Sequence, residues 1–276
     1  MADETPAVSI SIKWVGARKD FIDYLKVQEY DERWAKNLVR YLDKYSPIIN
    51  KPLDVIALFS TVKTAKRHLV LALRTLFNFY EAIGFSKDYL DSFRKALPKV
   101  RCGIDLRIPS ETEIINSLRR LKNAPLKYQA LYNILLDSGL RLIEAVNLIN
   151  TFETANNVKG FCRCEVGSFR GSKQAYYGHF SEFTLTLIKD VHETLDELNA
   201  SHYFCKFSYV PAKYVRKFAF DKMIELEIPE SVADFIEGRV PIRIGAKHYM
   251  ALARQASKFY PRYAKYIQTL RESVKV

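Results

Sequence analysis

Between Leu97 and Pro109 the chain loses all hydrophobic periodicity. The stretch Leu97-Pro98-Lys99-Val100-Arg101-Cys102-Gly103-Ile104-Asp105-Leu106-Arg107-Ile108-Pro109 holds two prolines, a glycine and three basic residues. Proline removes a backbone donor and keeps the residue before it out of the helical region, so neither a helix nor a paired strand runs through. Residues 98–109 read as an interdomain linker, and the 276-residue chain is expected to pack as two parts, 15–97 and 110–276.

The first part reads as a bundle of four or five helices. Asp31 caps a helix to about Lys44 with Trp34, Leu38, Tyr41 and Leu42 on one side, stopped by Ser46-Pro47. From Thr61 to Ile83 the residues Leu69, Leu73, Leu76, Tyr80 and Ile83 recur at alternating steps of four and three, a narrow apolar stripe that Gly84 terminates. A short helix spans Ser86 to Leu97. After Pro109, Ser110-Glu111-Thr112-Glu113 has the form of a capping box, and helices are expected over 110–122, 126–137 and 140–149. Residues 158–183 change pattern. Phe161, Cys162, Cys164, Val166 and Phe169 are strand-like, Gly171-Ser172-Lys173 is a turn, and Gln174 to Phe180 returns, making a β-hairpin with a lysine at its tip. Helical patterns resume at 182–198, 210–226, 229–236, about 244–258 and 261–272. The fold class is mainly α with a small antiparallel β-sheet.

Hydrophobic residues make up 48% of the chain and charged residues 27%, which excludes wholesale disorder. The apolar runs are too short for a membrane span. The acidic start Met1-Ala-Asp-Glu lacks a secretory h-region, and the four cysteines, Cys102, Cys162, Cys164 and Cys205, have no disulfide-framework spacing. A reduced, cytoplasmic protein is expected. The net charge of +12 is uneven. Residues 62–101 carry nine Lys/Arg against three Asp/Glu, and 239–271 carry eight with no acid. Two solvated helix faces would give such blocks; so would two lobes gripping one polyanion.

Several chemistries find no support. Cys162-Arg-Cys164 lacks zinc-knuckle spacing and a second ligand pair. The five histidines form no metal set, and no GxxxxGK[ST], GxGxxG or nucleophile elbow is present. What stands out is a spread of cations plus one tyrosine. Ser138-Gly139-Leu140-Arg141-Leu142-Ile143-Glu144 puts an arginine at the start of a helix after a glycine break. Lys173 sits at the hairpin tip. Lys213-Tyr214-Val215-Arg216 opens a helix with two cations three residues apart on one face. Gly238-Arg239 follows, and Tyr249 comes ten residues later.

This order resembles the tyrosine recombinase (phage-type integrase) family, in particular the archaeal fusellovirus- and plasmid-type integrases. Gly-Leu-Arg-Leu-Ile-Glu-Ala at 139–145 is similar to the family's first-arginine motif, Arg-Gly-Ser-Lys at 170–173 to its hairpin lysine, and Lys213-x-x-Arg216 to its His/Lys-x-x-Arg box. Phe-Ile-Glu-Gly-Arg-Val-Pro at 235–241 with Ala-Lys-His-Tyr at 246–249 is similar to the archaeal C-terminal signature. The resemblance spans about 108–260. It implies a two-domain clamp: a helical core-binding domain at 15–97, with Lys63, Lys66, Arg67 and Arg74 toward DNA, and a catalytic domain at 110–276.

The implied activity is site-specific integration or excision of a mobile element, by cutting and rejoining duplex DNA through a 3′-phosphotyrosyl intermediate. A free tyrosine, with a pKa near 10, is a poor nucleophile. In the implied mechanism Tyr249 attacks the phosphodiester while Arg141 and Arg216 clamp its non-bridging oxygens. Lys173 protonates the leaving 5′ oxygen, and Lys213 relays the tyrosine's proton or adds charge. Arg239, where many relatives have His or Trp, donates to the phosphate or yields that place to Glu237. Glu144 orients an active-site cation. No cofactor or metal is implied. The implied partners are double-stranded attachment-site DNA, three further protomers in a synaptic tetramer, and host DNA-bending proteins, with no membrane. The C-terminal segment from about 259 would dock on a neighbour.

Blander readings stand beside these. Arg141 and Glu144 also make an ordinary i,i+3 ion pair, Lys173 an ordinary loop lysine, and Tyr260 and Tyr263 are rival nucleophiles. Two other functional classes share the features: a type IB-like topoisomerase, and a catalytically silent DNA-binding regulator on the same scaffold.

Overall fold

The computed structural model describes residues 11–100, 103–158, 160–170, 173–240 and 251–274. The backbone forms two compact units, Met1–Ile104 and Asp105–Val276. The described residues are mainly helical with small antiparallel sheets. None of their helices is long and apolar enough to cross a membrane.

In the first unit a two-residue strand, β1 (Ile12–Lys13), pairs antiparallel with β2 (Ile48–Ile49), Ile12 opposite Ile49. Around them lie α1 (Trp14–Val27), α2 (Glu32–Tyr45), α3 (Pro52–Thr61), α4 (Lys66–Ala82) and α5 (Lys87–Ala96). Asp31 accepts the Trp34 N–H at 3.0 Å and starts α2; Ser86 caps α5. The run expected as one helix from Thr61 is broken at 62–65, where Ala65 is left-handed (φ 59°), and α4 begins at Lys66. Its buried face is far wider than the stripe: Val70, Ala72, Phe77 and Phe79 are buried with Leu69, Leu73, Leu76 and Tyr80, while Ile83 at the helix end is exposed. The reason is that α4 packs against α1, α2 and α5 together. Lys63, Lys66, Arg67 and Arg74 lie on its exposed side or just ahead of it.

The second unit is built around α7 (Leu126–Ser138), buried without interruption from Ala130 to Ser138. It is preceded by α6 (Glu111–Leu121). Glu113 takes the Ser110 N–H at 2.9 Å and Ser110 Oγ takes the Glu113 N–H at 3.3 Å, which closes the capping box. Gly139, left-handed at φ 61°, ends α7, and α8 (Leu142–Asn150) follows. The sheet is β3 (Asn156–Val158), β4 (Phe161–Arg170) and β5 (Lys173–Phe180) in that order. Cys162 stands opposite Phe180 and Arg170 opposite Lys173, with an irregularity between Glu165 and Ser168.

Then come α9 (Glu182–Lys189), α10 (Glu197–Lys206), α11 (Ala212–Glu225), α12 (Glu230–Ile236) and α13 (Leu252–Glu272). The helix expected over 182–198 ends at Lys189. The Asn150 side-chain amide donates to the Leu195 carbonyl and accepts its N–H, both at 2.9 Å, and Asp196 caps a new helix. The two helices expected at 244–258 and 261–272 are, over the described residues, one helix that carries Pro261 inside it. Its buried stripe Ala256, Tyr260, Tyr263, Ile267, Leu270 runs straight past the proline, so burial overrides the lost hydrogen bond. That helix is seated on its own chain. Arg271 reaches Asp137 at 2.6 Å and Asn133 at 2.9 Å, and Tyr260 and Tyr263 donate to the carbonyls of Asp137 (3.0 Å) and Leu136 (2.7 Å). The apolar face of this helix is covered within the chain.

Candidate active site

Three arginines from separate parts of the second unit converge on two buried carboxylates. Arg141 lies in the bend between Gly139 and α8. Its backbone N–H donates to Glu144 Oε2 at 3.0 Å, and its Nη1 donates to Glu144 Oε1 and to the Gly238 carbonyl, both at 2.8 Å. Glu144 is fully buried, and the Arg141 side chain keeps 23% of its surface exposed. The i,i+3 pair thus exists, and it also anchors Arg141 to the turn after α12.

Arg216, on α11, is the most enclosed of the three, with 10% of its side chain exposed. Its Nη1 donates to the Gly139 carbonyl at 2.7 Å and to the Glu237 carbonyl at 2.6 Å, while Nε lies 3.4 Å from Glu237 Oε2. Its Nη2 is buried and makes no hydrogen bond. Burial and the neighbouring Arg141 and Arg239 lower its pKa to about 10 against the pull of Glu237, so it is charged at neutral pH. Arg239 follows Gly238. Its Nη2 is 2.9 Å from Glu237 Oε2, its Nη1 is 3.6 Å from Asp234, and its guanidinium lies over Phe220 with the side chain 36% exposed. Glu237 is fully buried, and burial pushes its carboxyl up to about 7 in spite of Arg216 and Arg239.

Glycine at 238 permits this turn to lie against the sheet. Its φ is 75°, and a β-carbon there would stand 2.7 Å from the Ala175 β-carbon. The Gln174 N–H donates to the Gly238 carbonyl at 3.2 Å, and Lys173 and Arg239 form a backbone bridge. Lys173, the first residue of β5 and exposed, is thereby held next to Arg239 through the main chain.

Lys213 is one turn before Arg216 on α11, but its ammonium pairs with Asp105, and its side chain is 65% exposed. That bond raises its pKa, and Asp105 falls to about 2. Lys217 binds the Arg107 carbonyl at 2.7 Å and the Asp105 carbonyl, while the Arg107 guanidinium lies over Tyr214. Residues 105–107 are thus fastened along α11. The expected nucleophile, Tyr249, lies outside the described residues. The rivals Tyr260 and Tyr263 are fully buried core residues, and burial first of all raises both hydroxyls far above their ordinary value. Among the described residues no group of three or more His, Cys, Asp or Glu side chains is placed to hold a metal ion. Cys162 and Cys164 are buried and unpaired.

Sequence reasoning missed Asp105, Asp234 and the carbonyls of Gly139, Glu237 and Gly238 as parts of this site. Carbonyls have no sequence signature. Asp105 had one, as the only acid between Ser92 and Ser110.

Residues 106–266, more than half of the chain, match the archaeal phage integrase family. Among solved structures the integrase from mycobacterium phage Brujita is similar, at 10% identity and a TM-score of 0.44, over 94% of this chain and 97% of that one. XerA recombinase is similar at 15% identity and a TM-score of 0.36, over 87% and 96%. No curated protein matches the chain.

Proposed function

The chain belongs to the archaeal phage integrase family, within the tyrosine recombinases, and on that premise we propose that it cleaves and rejoins duplex DNA through a 3′-phosphotyrosyl intermediate on Tyr249. The observation that carries the proposal is the convergence of Arg141, Arg216 and Arg239, with Arg216 Nη2 buried and unbonded. A buried guanidinium N–H without a partner is costly, and a phosphodiester oxygen satisfies it. Charge gathers on the non-bridging oxygens as the pentacovalent transition state forms, and guanidinium donors already fixed in place stabilise it without reorganising.

In the proposed reaction the Tyr249 oxygen bonds to phosphorus, its proton passing to solvent, and the bond to the 5′ oxygen breaks with a proton from Lys173. Lys213 acts as a positive charge instead of a base, because Asp105 holds its ammonium protonated. A 5′ hydroxyl from the partner strand reverses the chemistry. The two units close on the duplex as a clamp, Lys63, Lys66, Arg67 and Arg74 toward the backbone, and four protomers act at one synapse; these belong to the same proposal.

The test is incubation with a nicked suicide duplex carrying the attachment site. An SDS-resistant protein–DNA adduct is expected. Binding without an adduct would favour the silent regulator, and site-independent relaxation of supercoils would favour the topoisomerase.

A further inference from the structure

The arginine group holds two buried carboxylates in different states of satisfaction. Glu144 accepts two aligned hydrogen bonds from Arg141, at 3.0 and 2.8 Å. Glu237 lies within 2.9 Å of Arg239 and 3.4 Å of Arg216, yet neither of its side-chain oxygens has an aligned hydrogen bond. Glu144 is fixed in place by those two bonds. Glu237 is a buried carboxyl that faces its cations without an aligned hydrogen bond, and those two cations are ones the phosphate would use.

We propose that Glu237 is the exchangeable counter-ion of this site: it pairs with Arg216 and Arg239 in the free protein and takes up a proton when a phosphodiester enters among the guanidinia. The proposal rests on the reading of the arginine group as the scissile-phosphate site. Around Glu237 stand Arg216 from α11, Asp234 from α12, Arg239 from the turn after it, Arg141 from the bend before α8, and Tyr263 from α13. Before loading, three guanidinia face the carboxylates of Glu144 and Glu237. After loading they face Glu144 and the phosphate, with Glu237 neutral, so the balance of charge is unchanged. The proton comes from solvent, and no DNA bond changes in this step.

The free carboxyl already stands near 7, chiefly through burial. A phosphodiester charge repels the carboxylate and competes with it for Arg216 and Arg239, so the value rises on binding. Affinity at the site then falls as pH rises above about 7, by at most about tenfold per pH unit, because the proton must come from a more dilute supply.

The experiment uses the full chain with Tyr249→Phe, which cannot form the ester, labelled with 13C at the glutamate carboxyls. The Glu237 resonance is assigned by its loss in Glu237→Gln, or in Glu237→Asp should the first variant fail to fold. It is followed against pH in the free protein and with the attachment-site duplex. The expected midpoint is near 7 when free and about one pH unit or more higher when bound. Calorimetry in buffers of different ionisation enthalpy is expected to show uptake of about half a proton at pH 7, removed by Glu237→Gln. A free midpoint in the ordinary glutamate range overturns the proposal. So does a midpoint that DNA leaves unmoved, and if wild-type protein still forms the Tyr249 adduct the functional reading survives it. If wild-type protein forms no adduct on an attachment-site duplex that it demonstrably binds, the functional reading fails, and this proposal with it.

Discussion

A β-carbon on Gly139 would stand 2.6 Å from Glu237 Oε1. The helix-ending glycine of α7 is therefore also the floor of the arginine site, and its carbonyl is a ligand of Arg216. Gly139→Ala meets two penalties: the left-handed φ of 61°, about 1–2 kcal/mol for an L-residue, and displacement of Glu237. Urea denaturation is expected to show the first, and adduct formation the second, as a fall larger than lost stability explains. Gly84→Ala in the first unit, also at positive φ but with open space around it, should lower stability and leave the adduct yield of folded protein unchanged.

Arg216→Lys keeps a charge and loses the planar fork. Lysine carries its donors on one nitrogen and cannot hold the Gly139 and Glu237 carbonyls while presenting a second nitrogen where Nη2 lies. Adduct formation should slow by about 100-fold, the effect of removing one transition-state donor, while duplex affinity measured by anisotropy changes little. Equal slowing by Arg216→Lys and by substitution of an exposed lysine such as Lys63 would contradict this.

Asp105 covers Lys213 in the free protein. Asp105→Asn removes a negative charge from the basic side of α11 and releases that ammonium. Duplex binding should tighten severalfold and depend more steeply on salt. The pair is exposed, so thermal stability at pH 7 should scarcely move.

His179 is fully buried among Phe161, Tyr177 and Tyr260, with neither ring nitrogen hydrogen-bonded. Burial, helped by Arg163, drops its pKa from 6.5 to about 3. The unfolded chain then binds more protons between those values, so stability is full above 6.5 and is lost as pH falls toward 3. The slope is at most about 1.4 kcal/mol per pH unit. Glu237 has the opposite sign: its raised value gives stability that is complete below 4.5 and lost as pH rises through about 7. His179→Leu should flatten the acid side of a denaturation-against-pH profile, and Glu237→Gln the neutral side.

Local signals carried much of this fold. Asp31, Ser110 with Glu113, and Gly139 mark helix ends by hydrogen bonds their own side chains or backbone make, and all three were readable. The β-hairpin was readable from its alternation and turn. By contrast α1 and α3 fall within the expected four or five helices but were not placed, because Lys13 and Lys51 are not residues that announce a helix start. Helix α10 went unseen because Asn150, 45 residues away, sets its entry. Pro261 argued for a break that burial of Tyr260 and Tyr263 overrules. At the site, motif order placed Arg141, Arg216 and Arg239 on one list. Their mutual packing runs through the main-chain carbonyls of Gly139, Glu237 and Gly238 and through Asp234, and no spacing rule encodes those.

The most direct measurement is proteolytic mapping of the covalent adduct formed on the nicked suicide duplex. The account predicts one modified peptide, carrying a 3′-phosphoryl nucleotide on Tyr249 and lost in Tyr249→Phe. An adduct on any other residue, or none on a duplex the protein demonstrably binds, would contradict it.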